Sequence, residues 1–197
     1  MEEGALPDDP DQAIAKVEES LQGTEETTAQ PVLLLLTGLP GTGKSYLARR
    51  LSEFLPFVVI ESDQVRKTLF PEPRYTAQES RLVHRTCHAL MRKLLKKGIR
   101  VIYDATNLIE YHRELVYRIA NKTGARLVVV KTVAREEVVR ERLGIREDVV
   151  VEASDADWRI YLRMASRQEP IQHPHLVIDT SGDMEEAVTK VLRAIRR

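Results

Sequence analysis

Residues 38–45, Gly-Leu-Pro-Gly-Thr-Gly-Lys-Ser, satisfy the pattern G-x-x-x-x-G-K-[ST] at every fixed position. This feature constrains the fold strongly, because such a loop works only between a buried strand and a helix. Both flanks comply. Pro31-Val-Leu-Leu-Leu-Leu-Thr37 reads as a strand covered on both faces, and Ser45–Phe54 reads as a helix. A glycine-rich turn between them lets successive backbone N–H groups converge on one anion, backed by the helix N-terminus. Gly38, Leu39, Pro40, Gly41, Thr42 and Gly43 are thus expected to cradle phosphates, with Tyr46 also in the nucleotide-binding set. Lys44 is expected to reach the β- and γ-phosphates, and the Ser45 hydroxyl to join a Mg²⁺ shell. The motif implies a site for a nucleoside triphosphate, ATP with Mg²⁺.

The chain has 197 residues, 43% of them hydrophobic, which suffices for one α/β domain with a full core. It contains no apolar run of the length a spanning helix needs, so no membrane partner is expected. Met1–Asp9 is acidic and lacks the basic start and apolar stretch of a signal peptide. Cys87 is the single cysteine, which excludes an internal disulfide and suits a reducing cytoplasm. The 30 acidic and 30 basic residues balance, but nine acids and only Lys16 fall in residues 1–30. Residues 31–197 therefore hold 21 acids and 29 bases, a formal +8. A basic body suits a polyanionic substrate, and ATP alone would also favour it.

Two segments follow from this division. Residues 1–30 read as an acidic leader, flexible or forming a short helix capped by Asp11, with Ile14, Val17 and Leu21 as its apolar stripe. Residues 31–197 read as the catalytic domain. There, strands expected at Val32–Thr37, Phe57–Glu61, Arg100–Asp104, Arg126–Val133 and Leu176–Asp179 alternate with helices near 44–54, 63–69, 76–97, 110–122, 135–143, 155–168 and 183–196. Such alternation implies a parallel sheet with helices on both faces, whose ligands gather at the C-terminal ends of the strands.

The residues that follow each strand carry the candidate chemistry. Asp63 and Arg66 stand three apart at a helix start, so both can face one cleft. The carboxylate could accept the proton of an attacking hydroxyl while the arginine holds an anionic group of the acceptor. Capping of the helix by Ser62 or Asp63 is the plainer alternative. Asp104 ends an apolar strand and is placed to hold Mg²⁺, directly or through water. Ala105 follows it where ATP-hydrolysing machines usually carry a glutamate, which favours transfer to a bound acceptor. Thr106, Asn107 and Arg113 could line the acceptor side, and Thr180 the base side. Arg142 and Arg146 could fold over the phosphates, on one helical face only if the helix runs through Gly144. Asn121-Lys-Thr-Gly124 lacks the aspartate of a guanine-specific site, so a GTPase is not expected. His84 and His88, and the Trp158, Tyr161, Leu162 and Ala165 set, read as structural.

Together, GLPGTGKS, the D-x-x-R of Asp63 and Arg66, DATN at 104–107 and the R-x-x-x-R of Arg142 and Arg146 resemble one branch of P-loop kinases. It includes 5′-hydroxyl polynucleotide kinases, zeta-toxin-like sugar-nucleotide kinases and small ATP-dependent kinases. The resemblance covers most of residues 31–197. It implies the three-layer P-loop NTPase sandwich, with five parallel strands in the order 2-3-1-4-5. It also implies Lys44, Asp63, Arg66, Arg142 and Arg146 as catalytic residues, with Asp63 the general base. The implied acceptor is a hydroxyl, foremost the 5′-OH of RNA or DNA. A small metabolite or sugar nucleotide is the alternative, and a nucleotide-dependent switch or tRNA-modification ATPase a further one.

Overall fold

In the computed structural model the described residues are 10–21, 26–148 and 158–196. Five strands form one parallel sheet: β1 (Val32–Thr37), β2 (Phe57–Glu61), β3 (Arg100–Asp104), β4 (Arg126–Val133) and β5 (Leu176–Asp179), in the order β2-β3-β1-β4-β5. This is the expected P-loop sandwich, and the strand bounds match those read from the sequence. Eight helices are described. They are α1 (Pro10–Glu18), α2 (Lys44–Ser52), α3 (Ser62–Leu69), α4 (Ala77–Lys96), α5 (Glu110–Thr123), α6 (Glu136–Asp148), α7 (Trp158–Ala165) and α8 (Met184–Arg196).

The unbroken apolar run of β1 follows from its central place. Alternate residues serve opposite cores: Leu33 and Leu35 pack with Tyr103, Val83 and Val116 on the face covered by α3, α4 and α5. Leu34 and Leu36 pack with Ile102, Leu47 and Val188 on the face covered by α2 and α8. All four leucines are fully buried, each worth about 1.5–3 kcal/mol against exposure. Because β1 lies between β3 and β4, the sheet order reverses beside it, and a crevice opens at the strand C-terminal ends. Leu36 stands opposite Asp104, so the phosphate loop and that carboxylate leave the sheet side by side.

Helix α1 lies within the acidic leader. Ala13 and Val17 are buried in the core formed with α3 and α4, and Ile14 and Leu21 pack on its edge. Glu18 bonds Lys93 (2.5 Å) and Lys97, and the Lys93 hydrogen bond draws its carboxyl below the usual range.

Helix α7 departs from expectation. Its helical period is real, yet none of its residues is buried, and Leu162 is 53% exposed. Trp158 stacks on Tyr161 with centroids 4.6 Å apart, and the Arg140 guanidinium lies 4.1 Å from the Trp158 ring. Its aromatic residues stack within α7 and meet α6 through the cation–π contact rather than packing into the core. Helix α6 itself runs through Gly144. No helix among the described residues is long and apolar enough to cross a membrane.

Candidate active site

The phosphate loop is built on backbone that only glycine adopts cheaply. Gly38, Gly41 and Gly43 have φ of 147°, 76° and 82°. The loop is also enclosed. A β-carbon on Gly41 would lie 3.0 Å from Val139 Cγ1, and one on Gly43 would lie 3.1 Å from Thr180 Oγ1. Thr42 Oγ1 donates to Leu39 O (2.7 Å) and pairs with Thr132 Oγ1 (2.8 Å), fixing the turn to β4. Lys44 is buried at the first turn of α2, its ammonium 3.0 Å from Leu39 O. The lysine is thus folded over its own loop, where incoming phosphate oxygens would replace a carbonyl partner. Ser45 is half-buried beside it, and Tyr46 points outward, 46% exposed.

Asp104 is 2% exposed at the end of β3. Ser45 hydroxyl and Asp104 carboxylate are hard oxygen donors at one mouth. This fits Mg²⁺, which takes few protein ligands and fills its shell from water and phosphate oxygens. Among the described residues no group of three or more His, Cys, Asp or Glu side chains forms a separate metal site.

Asp63 and Arg66 occupy the first two turns of α3, on the β2 side of the crevice. Asp63 is half-buried; burial pushes the nearby Cys87 thiol up to about 12 and raises the Tyr103 phenol, and the Asp63 charge adds a little to both. Arg66 is 8% exposed. Its Nη1 pairs with Glu79 Oε2 (3.3 Å), Nη2 donates to Ser80 Oγ (3.2 Å), and its guanidinium lies 4.8 Å from the Tyr75 ring. Glu79 was not foreseen. It also accepts from the Arg74 backbone N–H (2.9 Å), while Thr76 Oγ1 accepts from the Glu79 N–H (3.1 Å). The sequence signal was the T-x-x-E at Thr76–Glu79: its threonine caps α4, while its glutamate reaches back to Arg74 and fixes Arg66.

Three residues expected at the ligand surface are turned inward. Asn107, at φ 47°, donates from Nδ2 to Leu36 O (2.8 Å) and Ala105 O. Its carbonyl and that of Thr106 accept from Thr37 Oγ1 (3.1 Å each), so Asn107 locks β1 to β3 rather than facing an acceptor. Arg113 is fully buried. Its donors go to Glu110 Oε2 (2.7 Å), Asn107 O (2.7 Å), Glu169 O (3.1 Å) and Pro170 O (2.7 Å). It is a tie between chain segments, because a buried guanidinium must spend its donors on protein acceptors. Arg113→Met is therefore expected to lower stability by about 3–5 kcal/mol, read as a lower urea midpoint at unchanged slope. Thr180, expected near the base, is 1% exposed, and its hydroxyl donates to Thr42 O (2.9 Å) from behind the loop. Thr106 is half-buried, and the Gly38 N–H donates to its carbonyl (3.1 Å).

Arg142 joins the phosphate loop to Thr180, the residue that follows β5. Nη1 donates to Gly41 O (3.2 Å) and Thr180 Oγ1 (3.0 Å), and Nη2 to Thr180 O (2.7 Å). Val139 and Leu143 are buried beneath it, so this part of α6 is packed on the loop. The Arg146 side chain lies outside the described residues.

A family model described as "AAA domain" matches residues 33–171. The chain is 28% identical over 163 residues to the "Probable adenylyl-sulfate kinase" of Aeropyrum pernix, covering 79% of this chain and 86% of that one. It is 32% identical over 172 residues to the "Adenylyl-sulfate kinase" of Myxococcus xanthus, covering 84% of this chain and 91% of that one. Other curated relatives are longer, and the chain spans 33% of some that are 32% identical to it. Among solved structures, the Mycobacterium tuberculosis APS kinase CysC in complex with AMPPNP and APS superposes with a TM-score of 0.62 at 17% identity. That match covers 86% of this chain and all of the other, and speaks to the fold.

Proposed function

The chain belongs to the AAA-domain family of P-loop proteins, in company with kinases, and from that premise we propose that it phosphorylates a hydroxyl of a small anionic metabolite, using ATP and Mg²⁺. The observation that carries this reading is the pairing of two half-sites at one end of the sheet. The phosphate loop stands at the end of β1, and the half-buried Asp63 stands across the crevice with an arginine three residues on. In this reading the acceptor oxygen attacks the γ-phosphorus while Asp63 takes its proton. The bond to the β,γ-bridging oxygen breaks, and ADP leaves with that electron pair. Lys44 and the loop N–H groups hold the phosphates in line, and Arg142 keeps the loop closed behind them. Ser45 and Asp104 would hold Mg²⁺, which when bound neutralises charge on the β- and γ-phosphate oxygens.

Two observations favour a compact acceptor over a nucleic-acid end. Arg66 is buried under Tyr75 and braced by Glu79 and Ser80, within reach of a small group and away from the flank of a polymer. The named relatives that span most of their own length with this chain are adenylyl-sulfate kinases. The test supplies γ-labelled ATP and Mg²⁺ with adenylyl sulfate in one reaction and 5′-hydroxyl RNA and DNA oligonucleotides in others. Label on the adenylyl sulfate alone supports the reading. Label on the oligonucleotides, or none on any acceptor while ATP is hydrolysed to phosphate, overturns it.

A further inference from the structure

The acceptor side of the crevice holds a set of imidazoles for which the transfer chemistry has no use. His84 of α4 and His112 of α5 have ring centroids 5.2 Å apart, with planes inclined by 58°. His84 Nδ1 lies 3.1 Å from Tyr103 Oη, which leaves its Nε2 for a ligand. Both rings are half-buried, so each keeps a solvent-facing edge. Arg66 reaches the same place. Its Nη2 bonds Ser80, one helical turn before His84 on the same face of α4, and its Nε is buried with no hydrogen bond. The two tilted rings thus lie side by side, with Arg66 near enough for its charge to act on His84.

The electrostatics of that space are one-sided. The His84 imidazole is held down at about 4 by burial, then by His112 and by the Arg66 charge. The His88 imidazole is held down at about 4 by burial, His84, Arg92 and His112. Among the nearby acids Glu79 is paired with Arg66 and Glu110 with Arg113, while Asp63 stands in the crevice as the carboxylate that would meet the acceptor's hydroxyl. Two imidazoles beside a guanidinium, with Glu79 and Glu110 already paired, suit an oxyanion.

We propose that His84 and His112, together with Arg66, bind the tetrahedral oxyanion of the acceptor, a sulfate or phosphate group, and thereby select it. This rests on the reading of the α3 side as the acceptor side. In the empty site burial keeps the His84 ring neutral near pH 7. When the oxyanion enters, its charge offsets that of Arg66 and favours the imidazolium, which gains its proton from solvent and donates Nε2–H to an anion oxygen. The two histidines are recognition residues, separate from the carboxylate that takes the acceptor's proton.

Inorganic sulfate is the probe, because it stays doubly charged across the range in which histidine titrates, so any pH dependence of binding belongs to the protein. Imidazole NMR spectra are recorded on the full chain with ADP and Mg²⁺ added to fill the phosphate loop. Sulfate is expected to move the His84 and His112 signals, to leave His173 and His175 in place, and to bind at least about tenfold more weakly at pH 8 than at pH 6. His84→Asn and His112→Asn should each weaken binding and flatten that dependence, whereas His88→Asn keeps both. Signals of His84 and His112 that stay fixed as sulfate is added overturn the proposal. So does a pH-independent affinity equal in wild type and both variants. Should either variant fail to fold, the wild-type spectra decide alone. Failure of ADP to bind would sink the kinase reading, while the response of the two rings to sulfate would still decide this one.

Discussion

Asp63→Asn is expected to lower the rate of phosphoryl transfer by roughly 10²–10⁴-fold, the span of general-base catalysis. ATP affinity should stay within about twofold, since α3 makes no part of the phosphate loop. The substitution keeps shape and one acceptor oxygen, so the first turn of α3 and the Arg66–Glu79 pair have no cause to move. What it removes is a basic site. An amide cannot take the acceptor's proton, and the hydroxyl would have to attack while still protonated. Single-turnover measurements separate chemistry from release: the transfer step itself should slow, with kcat and kcat/KM falling together. A variant that transfers at the wild-type rate would reduce Asp63 to a residue of the α3 first turn and move the search for the base elsewhere.

The second large effect belongs to Gly38→Ala. A β-carbon at this position would lie 2.6 Å from both the carbonyl and the hydroxyl oxygen of Thr132, and 2.9 Å from Thr42 Oγ1. Two of those atoms belong to the Thr42–Thr132 hydroxyl pair that fixes the loop to β4, and the third is sheet backbone. None is the far end of a flexible side chain. The φ of 147° adds strain for any residue with a β-carbon. Relief requires the loop to lift from the sheet, at a cost of roughly 2–4 kcal/mol in stability. Because the N–H cradle lifts with it, nucleotide binding should be lost in titration calorimetry even where the protein remains folded. Wild-type affinity in this variant would mean that the loop reaches its binding shape only after nucleotide arrives.

The sheet was legible because its signal is periodic and long. Five apolar runs of strand length, punctuated by helical patterns and anchored on one phosphate loop, leave few arrangements, and resemblance then supplied the order. Side-chain direction was not legible at the ends of those strands. Asn107, Arg113 and Thr180 are the polar types that line ligand sites, and they stand at the right end of the sheet. The same residue types close the seams between β1, β3 and β5 when the backbone turns them inward, and position alone does not separate the two uses. Arg113 shows why: its partners at Glu169 and Pro170 lie more than 50 residues on, beyond any local pattern. Helix α7 misled in the opposite sense. Its amphipathic period marks a helix face, yet what that face meets is decided by Arg140 on another helix. Glu79 was not legible because the T-x-x-E pattern marks only the helix start, whereas the carboxylate's bonds to the Arg74 backbone and to Arg66 leave no mark in sequence.

The hydrogen bond from Thr180 to the carbonyl of Thr42 spans 138 residues. During synthesis the phosphate loop leaves the ribosome well ahead of the Thr180 that clasps it. Until then Arg142 has no Thr180 to hold, and the loop lacks its rear wall. Cellular ATP, abundant throughout, would find a finished cradle only once Thr180 had emerged. The nucleotide therefore rewards completion of folding and cannot guide its early steps, and a ribosome that stalls before β5 releases a polypeptide unable to capture the ligand that would stabilise it.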